Sequence, residues 1–312
     1  MRHGDSAAET AAALAAVLDP TFLRKLERLR LSIRRTLSTR PGHTPMAGTT
    51  RQSGIEIENY RTYAAGDDLR HLDWNAYGRL DQLLIKLFRA EREVPLHVFV
   101  DLSASMAAPA VDRKLPFALS LAACLAYISV RNHDPVRIVG LSSDCPDRHR
   151  ASPVFRHAVW LGRLRDFLAS LAARGGTALH DGIGAALRAQ RLAGAAVLLS
   201  DFLVEPAAYE RALDALVTRG LTVTAVRVMG PAERDPTRQF RRAQLLDAET
   251  GRLRFVTLTP ANVARYAEAL DHHLTRLQTF CRQRGIFFTV ADTAAGLEES
   301  LFRAFPASGA LH

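Results

Sequence analysis

Short apolar runs alternate with longer amphipathic segments after residue 94, and this alternation restricts the possible folds more than any other feature. The runs have the length of strands and read LHVFVD (96–101), PVRIVGLS (135–142), AAVLLSDFL (195–203), LTVTAVRVM (221–229) and IFFTVAD (286–292). The continuous apolar character of the run at 195–203 is typical of a strand that is buried on both faces. We therefore expect a sheet that lies between two layers of helices.

The segments between these runs predict the covering helices. They are 114–131, 160–176, 177–192, 206–220 and 259–285, the second and the last ending at glycines. Residues 244–258 predict a hairpin around Glu249-Thr250-Gly251. Strands joined through helices form right-handed crossovers, so the pattern predicts an α/β fold with a doubly wound, mainly parallel sheet and helices on both faces.

Oxygen-bearing side chains collect at the predicted carboxyl edge of this sheet. The first strand leads into Asp101, Ser103 and Ser105, Thr177 follows two glycines at the start of a helix, and a later strand ends before Asp201. Ligands of open α/β sheets bind at this edge. Carboxylates and hydroxyls are ligands that hard divalent cations prefer. These five residues are the candidate metal ligands, with turn and cap chemistry as the alternative explanation.

This arrangement resembles the metal-ion-dependent adhesion site (MIDAS) of von Willebrand factor A domains. The resemblance rests on DLSASM (101–106), the threonine of GGTALHDGI (175–183) and the aspartate of LLSDF (198–202). It implies that Asp101, Ser103, Ser105, Thr177 and Asp201 surround Mg²⁺, or another divalent cation such as Mn²⁺ or Ca²⁺, some of them through water. An acidic side chain of a partner would then complete the coordination of the ion.

The residues before the first strand resemble the domain-of-unknown-function fifty-eight (DUF58) family. Its Gly-Asp-Asp, Asp-Trp and Lys-then-acidic elements correspond here to Gly66, Asp67, Asp68, Asp73, Trp74, Lys86, Glu91 and Glu93. The resemblance runs from about residue 19 to residue 306 and implies a role beside MoxR-type AAA-plus ATPases in assembly or maturation of other proteins. For Asp67, Asp68, Arg70 and Asp73 we favour an internal network of turns and salt bridges over a partner surface, and for Trp74 a place in the core.

The predicted organisation has an N-terminal extension (1–94), a von Willebrand factor A-like domain (95–306) and a tail (307–312). The extension contains an amphipathic helix that begins at Asp19-Pro20 and runs to about Leu37, with a basic face. The chain carries 41 Lys+Arg against 32 Asp+Glu, a net charge of +9. Aromatic residues are not interleaved with the basic segment 24–51, so binding to nucleic acid or to a membrane surface remains only an alternative.

The chain is expected to be cytoplasmic. Its three cysteines are far apart and form no Cys-x-x-Cys pair, which is typical of a reduced environment. The longest uncharged stretch, 115–130, is shorter than the ~20 residues of a membrane span and predicts a buried helix. The apolar residues 11–18 follow Asp5 and Glu9, which does not fit a signal peptide.

Two functional hypotheses follow, and the first is favoured. The chain is a non-enzymatic, Mg²⁺-dependent protein-binding module, because no nucleophile and base pair accompanies the five oxygens. The alternative is a metal-dependent hydrolase or nuclease that uses Asp67, Asp68 and Asp73. The sequence contains neither the P-loop motif nor Gly-x-Gly-x-x-Gly after a strand, so we expect no binding of ATP or dinucleotides. His272-His273 is expected to lie on the surface.

Overall fold

The computed structural model describes residues 3–29, 57–64, 69, 72–88, 93–156, 160–190, 192–238, 242–246, 253–257 and 259–311. The strands are β1 Ile57–Thr62, β2 Leu84–Phe88, β3 Leu96–Asp101, β4 Val136–Leu141, β5 His149–Ala151, β6 Ala195–Ser200, β7 Thr222–Met229, β8 Arg242–Leu246, β9 Leu253–Thr257 and β10 Phe287–Asp292. The helices are α1 His3–Val17, α2 Pro20–Leu26, α3 Trp74–Leu80, α4 Lys114–Arg131, α5 Leu161–Ala169, α6 Leu179–Ala189, α7 Pro206–Thr218, α8 Pro231–Arg234, α9 Pro260–Gln283, α10 Gly296–Glu299 and α11 Phe305–Ser308.

The chain forms two compact units, of which residues 1–34 with 94–312 are one and residues 35–93 are the other. This division differs from the predicted extension over residues 1–94, because the first helix packs on the α/β unit. Leu14 and Val17 of α1 belong to the same buried cluster as the inner face of α4. The predicted tail also differs, since Ala310 and Leu311 are buried in that cluster.

The central sheet has six strands in the order β10-β7-β6-β3-β4-β5, all parallel except the antiparallel edge strand β5. Its two faces are covered separately. Leu96, Val98 and Val100 of β3 pack in the cluster formed with α1, α2, α4 and α5. Phe99 points into a second cluster, formed with α6, α7 and α9. The predicted α/β, doubly wound fold is confirmed, and the strand order reverses between β3 and β6, as in other doubly wound sheets.

The predicted buried helix is also confirmed. By length and composition the stretch Ala110–Arg131 could cross a membrane, but 83% of it is buried inside the α/β unit. It is a core helix. It is apolar all round because it packs against the sheet on one side and against α1 and α2 on the other.

Two helices differ in length from the prediction. The helix that begins at Pro20 ends at Leu26, with the carboxylate of Asp19 accepting a hydrogen bond from the Thr21 amide as its N-cap; the predicted continuation beyond residue 29 lies outside the described residues. Helix α5 ends at Ala169 rather than at the glycines 175–176. The residues that follow α5 turn toward the candidate site instead, where the Arg174 amide bonds to the carbonyl of Leu102.

The smaller unit contains an antiparallel pair of strands, β1 and β2, and helix α3 lies between them in the chain. In the larger unit, β8 and β9 form the predicted hairpin. This hairpin is inserted between β7 and α9 and pairs with no other described strand. Helix α8 and a short 3-10 turn at Pro236–Arg238 lead from β7 into this hairpin.

Candidate functional site

The candidate site lies where the strand order reverses. From β3 the chain continues to β4 on one side, and it later returns to place β6 on the other side of β3. Crevices open beyond the carboxyl ends of strands at such a switch point. Asp101 is the last residue of β3. Ser200 is the last residue of β6, and Asp201 follows it directly.

Asp101 is fully buried, and both of its carboxylate oxygens accept hydrogen bonds. Oδ1 accepts from the Ser103 amide at 2.9 Å, and Oδ2 accepts from the Ser200 hydroxyl at 2.6 Å. Burial and the neighbouring charge of Asp201 raise the pKa of Asp101 to about 6, although the hydrogen bonds from Ser200 and Ser103 oppose this shift. The ionised carboxylate is therefore held in a position where an added positive charge would stabilise it.

Ser103 and Ser105 present a matched pair of hydroxyls, whose oxygens are 2.9 Å apart. Oxygen ligands at neighbouring positions around an octahedral Mg²⁺, each about 2.1 Å from the ion, are separated by about 3.0 Å. The 3-10 turn Ala104–Ala107 sets this spacing, since it begins directly after Ser103. The hydroxyl pair consequently has the separation that two adjacent ligands require.

The segment before Thr177 is tied to the same loops. The Ala104 amide donates to the carbonyl of Gly175 at 2.9 Å, and the Gly176 amide donates to Oγ of Ser143 at 2.7 Å. Gly175 has a φ of +68°, and a side chain there would collide with Ser143 and Asp144. These bonds hold the segment that precedes Thr177 against the loop of Ser103 and Ser105, and Thr177 itself is half-buried.

Asp201 is also fully buried and fully engaged. Its Oδ1 accepts from the Leu203 amide at 3.1 Å, and its Oδ2 accepts from Nζ of Lys114 at 2.7 Å. Nζ of Lys114 donates as well to Oε2 of Glu233 at 2.8 Å. Burial alone would lower the pKa of Lys114, but the carboxylates of Asp201 and Glu233 outweigh it and raise that pKa, so the side chain is an ammonium.

Buried ion pairs and hydrogen bonds extend from Lys114 to helix α8, which precedes the β8–β9 hairpin. Nη2 of Arg227, a fully buried side chain on β7, donates to Oε1 of Glu233 at 3.0 Å. The carboxylate of Asp112 accepts from the amides of Ala232 and Glu233, both at 2.8 Å. Gly230 is required at this point, because a Cβ there would overlap the Asp112 carboxylate.

Sequence reasoning missed Lys114, Glu233 and Arg227. The one available signal was a lysine at the first position of an otherwise apolar core helix, where a solvent-exposed charge would not be expected. His273 was also misinterpreted: His272 is exposed as expected, but His273 is half-buried and its Nε2 lies 2.8 Å from the carbonyl of Phe202, next to Asp201.

The charges and oxygens are suited to a weakly held divalent cation. Asp101, Asp112, Asp201 and Glu233 are opposed by Lys114 and Arg227, which leaves two net negative charges in this buried group when every carboxylate is ionised. No cluster of three or more His, Cys, Asp or Glu side chains suited to a metal occurs among the described residues. An ion would therefore depend on neutral hydroxyls beside two carboxylates, as the sequence predicts.

The family motif of the smaller unit is only partly described. Gly66, Asp67, Asp68 and Arg70 lie outside the described residues. Asp73 caps helix α3, since its Oδ1 accepts from the amides of Asn75 and Ala76 at 3.0 and 3.1 Å. This agrees with the predicted turn role.

The prediction that Trp74 is a core residue is wrong, because its side chain is 64% exposed. Its ring meets that of Tyr77 edge-on, with 6.5 Å between centroids. Position 74 is the first of helix α3, none of whose residues is buried. The tryptophan lies on an open helix surface, which the local sequence pattern does not distinguish from a core position.

Replacing Trp74 by alanine is expected to change the stability of the smaller unit by less than about 0.5 kcal/mol, as for other surface substitutions. Replacing the buried Ile85 of the same unit by alanine should cost about 2–5 kcal/mol. Hydrogen exchange of the amides in β1 and β2 measures both changes. Equal losses of protection in the two variants would instead place the indole in a core.

Known proteins resemble the chain over most of its length. A family model described as "Protein of unknown function DUF58" matches residues 59–293. Uncharacterized protein Mb1516 from Mycobacterium bovis is 28% identical over 258 residues, which are 82% of this chain and 80% of that relative. The match to the family model includes every residue of the candidate site.

Two solved structures are similar at lower identity. Conserved hypothetical protein BatB from Bacteroides thetaiotaomicron is 17% identical with a TM-score of 0.41, covering 69% of this chain and 95% of that one. The structure described as von Willebrand factor type A from Catenulispora acidiphila is 16% identical with a TM-score of 0.36, covering 73% of this chain and 43% of that one.

Proposed function

The chain belongs to the DUF58 family, and from this premise we propose that it is a non-enzymatic protein-binding module whose site takes Mg²⁺ and a carboxylate of a protein partner. Mn²⁺ and Ca²⁺ are alternative ions of the same preference for oxygen. The observation that carries the proposal is the pair of hydroxyls of Ser103 and Ser105, 2.9 Å apart beside Asp101 at the carboxyl edge of the sheet.

The residues of this chain would divide the work of holding the ion. Ser103, Ser105 and Thr177 offer neutral oxygens, while Asp101 and Asp201 supply the negative charge. When bound, the ion supplies a positive centre that attracts an acidic side chain from outside. Asp201 is already paired with Lys114, so a partner carboxylate would add negative charge next to the ion.

The hydrogen bonds of the site favour binding over catalysis. The hydroxyls of Ser103 and Ser105 bond to each other, and Ser200, whose hydroxyl does donate to a carboxylate, is completely buried. A nucleophile needs an adjacent base and access to a substrate. Asp73, the described member of the cluster that the hydrolase alternative uses, caps helix α3 through its Oδ1.

We propose further that the partner is a MoxR-type AAA-plus ATPase in the cytoplasm and that the pair acts in assembly or maturation of other proteins. This part rests on the family resemblance of the sequence. It requires that an acidic residue of the ATPase reach the rim formed by β3 and β6, and that the complex depend on a divalent cation.

Replacing Asp101 by alanine is expected to abolish Mg²⁺ binding in isothermal titration, and with it binding to the purified MoxR-type ATPase in an interferometry assay. Both bindings should also be lost by the wild-type chain in the presence of a chelator. Removal of a carboxylate whose burial raises its pKa to about 6 should leave the fold intact, which circular dichroism checks.

The matched control is Asp166→Ala, which removes the same charge from an exposed position on α5. It should bind Mg²⁺ and the ATPase as the wild type does. Undiminished Mg²⁺ binding by the Asp101 variant would refute the site, whereas Mg²⁺ binding without any ATPase binding would refute only the partner.

A further inference from the structure

A buried ammonium lies beside the candidate cation site, although nothing in the proposed binding of an ion needs it. Lys114 is 1% exposed, and its Nζ bridges Oδ2 of Asp201 at 2.7 Å and Oε2 of Glu233 at 2.8 Å. A lysine is almost never fully buried unless it is paired. The chain therefore carries a cation of its own on one of the two carboxylates that would serve an ion.

The position of this ammonium has two consequences for Asp201. The bond from Nζ fixes Oδ2, and the bond from the Leu203 amide fixes Oδ1, so the carboxylate is held in place from both sides. A divalent ion near Asp201 must also share the negative charge of this carboxylate with the ammonium, and the ammonium repels the ion. Across a few ångströms in a partly buried site such repulsion is strong enough to weaken ion binding about tenfold or more.

We propose that Lys114 is a positioning residue that serves as the resident cation of this site, holding Asp201 in place when no divalent ion is bound and keeping the affinity of the free chain for such an ion low. This inference rests on the proposed function. It explains how the fold tolerates two adjacent buried aspartates without an ion. It also adds a mode of regulation: ion and partner carboxylate bind cooperatively, because the carboxylate offsets the positive charge that Lys114 maintains.

Glu233 determines how strongly the ammonium acts on Asp201. Its carboxylate accepts one of the described hydrogen bonds of Nζ and another from Arg227, while its backbone amide donates to Asp112. Without the charge of Glu233, the ammonium of Lys114 would pair with Asp201 alone, and the net charge of the site would become more positive. Removing Lys114 and neutralising Glu233 should therefore change the ion affinity in opposite directions.

The test measures the dissociation constant of Mg²⁺ alone, by isothermal titration, for the full chain and two variants. Lys114→Met keeps the length of the side chain and removes its charge, and it should bind Mg²⁺ about tenfold or more tightly than the wild type. Glu233→Gln should bind it severalfold more weakly. The melting temperature of Lys114→Met should be lowered in chelator and should rise on addition of Mg²⁺ by more than that of the wild type.

Arg113→Met is the control, since it removes a positive charge from the preceding residue, whose side chain is 53% exposed. Its Mg²⁺ affinity should stay within about twofold of the wild type, because exposed charges are screened. A Lys114 variant that binds no more tightly than the wild type overturns the inference. If that variant does not fold, equal or tighter binding by Glu233→Gln overturns it. Absence of Mg²⁺ binding by both the wild type and Lys114→Met refutes the proposed function itself, and this inference with it.

Discussion

Replacing Glu233 by alanine is expected to lower the free energy of unfolding of the α/β unit by about 3–5 kcal/mol, the cost of breaking a buried ion pair from one side. Glu233 is the described partner of Arg227, whose Nε and Nη1 already have no hydrogen-bond partner among the described residues. The substitution leaves this guanidinium buried without a counter-charge. It also leaves the Lys114 ammonium with Asp201 as its one described carboxylate.

An exposed ion pair of similar length provides the comparison. Nζ of Lys25 lies 2.7 Å from Oε1 of Glu298, but the two side chains are 53% and 57% exposed. Glu298→Ala should cost at most about 1 kcal/mol, since solvent already stabilises both charges. Chemical denaturation followed by circular dichroism measures both variants. Similar losses for the two would mean that Arg227 and Lys114 are not confined as the structure shows.

The strands were predictable because burial on both faces leaves few polar residues in them. Val197, Leu198 and Leu199 face alternate clusters, yet all are apolar, and the same holds along β3 apart from His97 and Asp101. Elements that owe their form to distant contacts were not predictable. Two of the three residues of β5, His149 and Arg150, are polar, and the segment becomes a strand only through pairing with β4. The end of α5 is set by Leu102, about 70 residues earlier in the chain, through the bond from Arg174.

Part of the candidate site could likewise be predicted from local sequence, and part could not. Asp101, Ser103 and Ser105 follow one strand at fixed spacing, so local sequence indicates that they share one edge, and the hydroxyl pair occurs where expected. The bonds from Lys114 to Asp201 and Glu233 join residues 87 and 119 positions apart. No local periodicity carries that information. Trp74 shows the complementary error, since a tryptophan that follows an N-cap aspartate can begin an exposed helix as readily as it anchors a core.

Acidification from pH 6.5 to pH 4 is expected to remove about 3 kcal/mol of stability through His97 alone. Burial on β3, with a contribution from Arg137, lowers the pKa of His97 to about 4, while the hydrogen bond to the Ala193 carbonyl opposes this. Nε2 lies 3.2 Å from that carbonyl, and Nδ1 has no hydrogen-bond partner among the described residues. The ring can therefore donate one proton, but a second would be buried without an acceptor.

The sign follows from which state binds the proton. Below about pH 6.5 the unfolded chain protonates this histidine, whereas the folded chain does so only near pH 4, so the proton stabilises the unfolded chain in between. Asp101 acts in the opposite sense, because its pKa in the folded chain is raised to about 6 and the folded state holds the extra proton. The two effects partly cancel in the wild type. His97→Gln should thus become more stable on acidification through this range and Asp101→Asn less stable, as measured by denaturant midpoints at pH 4, 5, 6 and 7. Parallel profiles for the two variants would show that neither group is buried in the state that the structure describes.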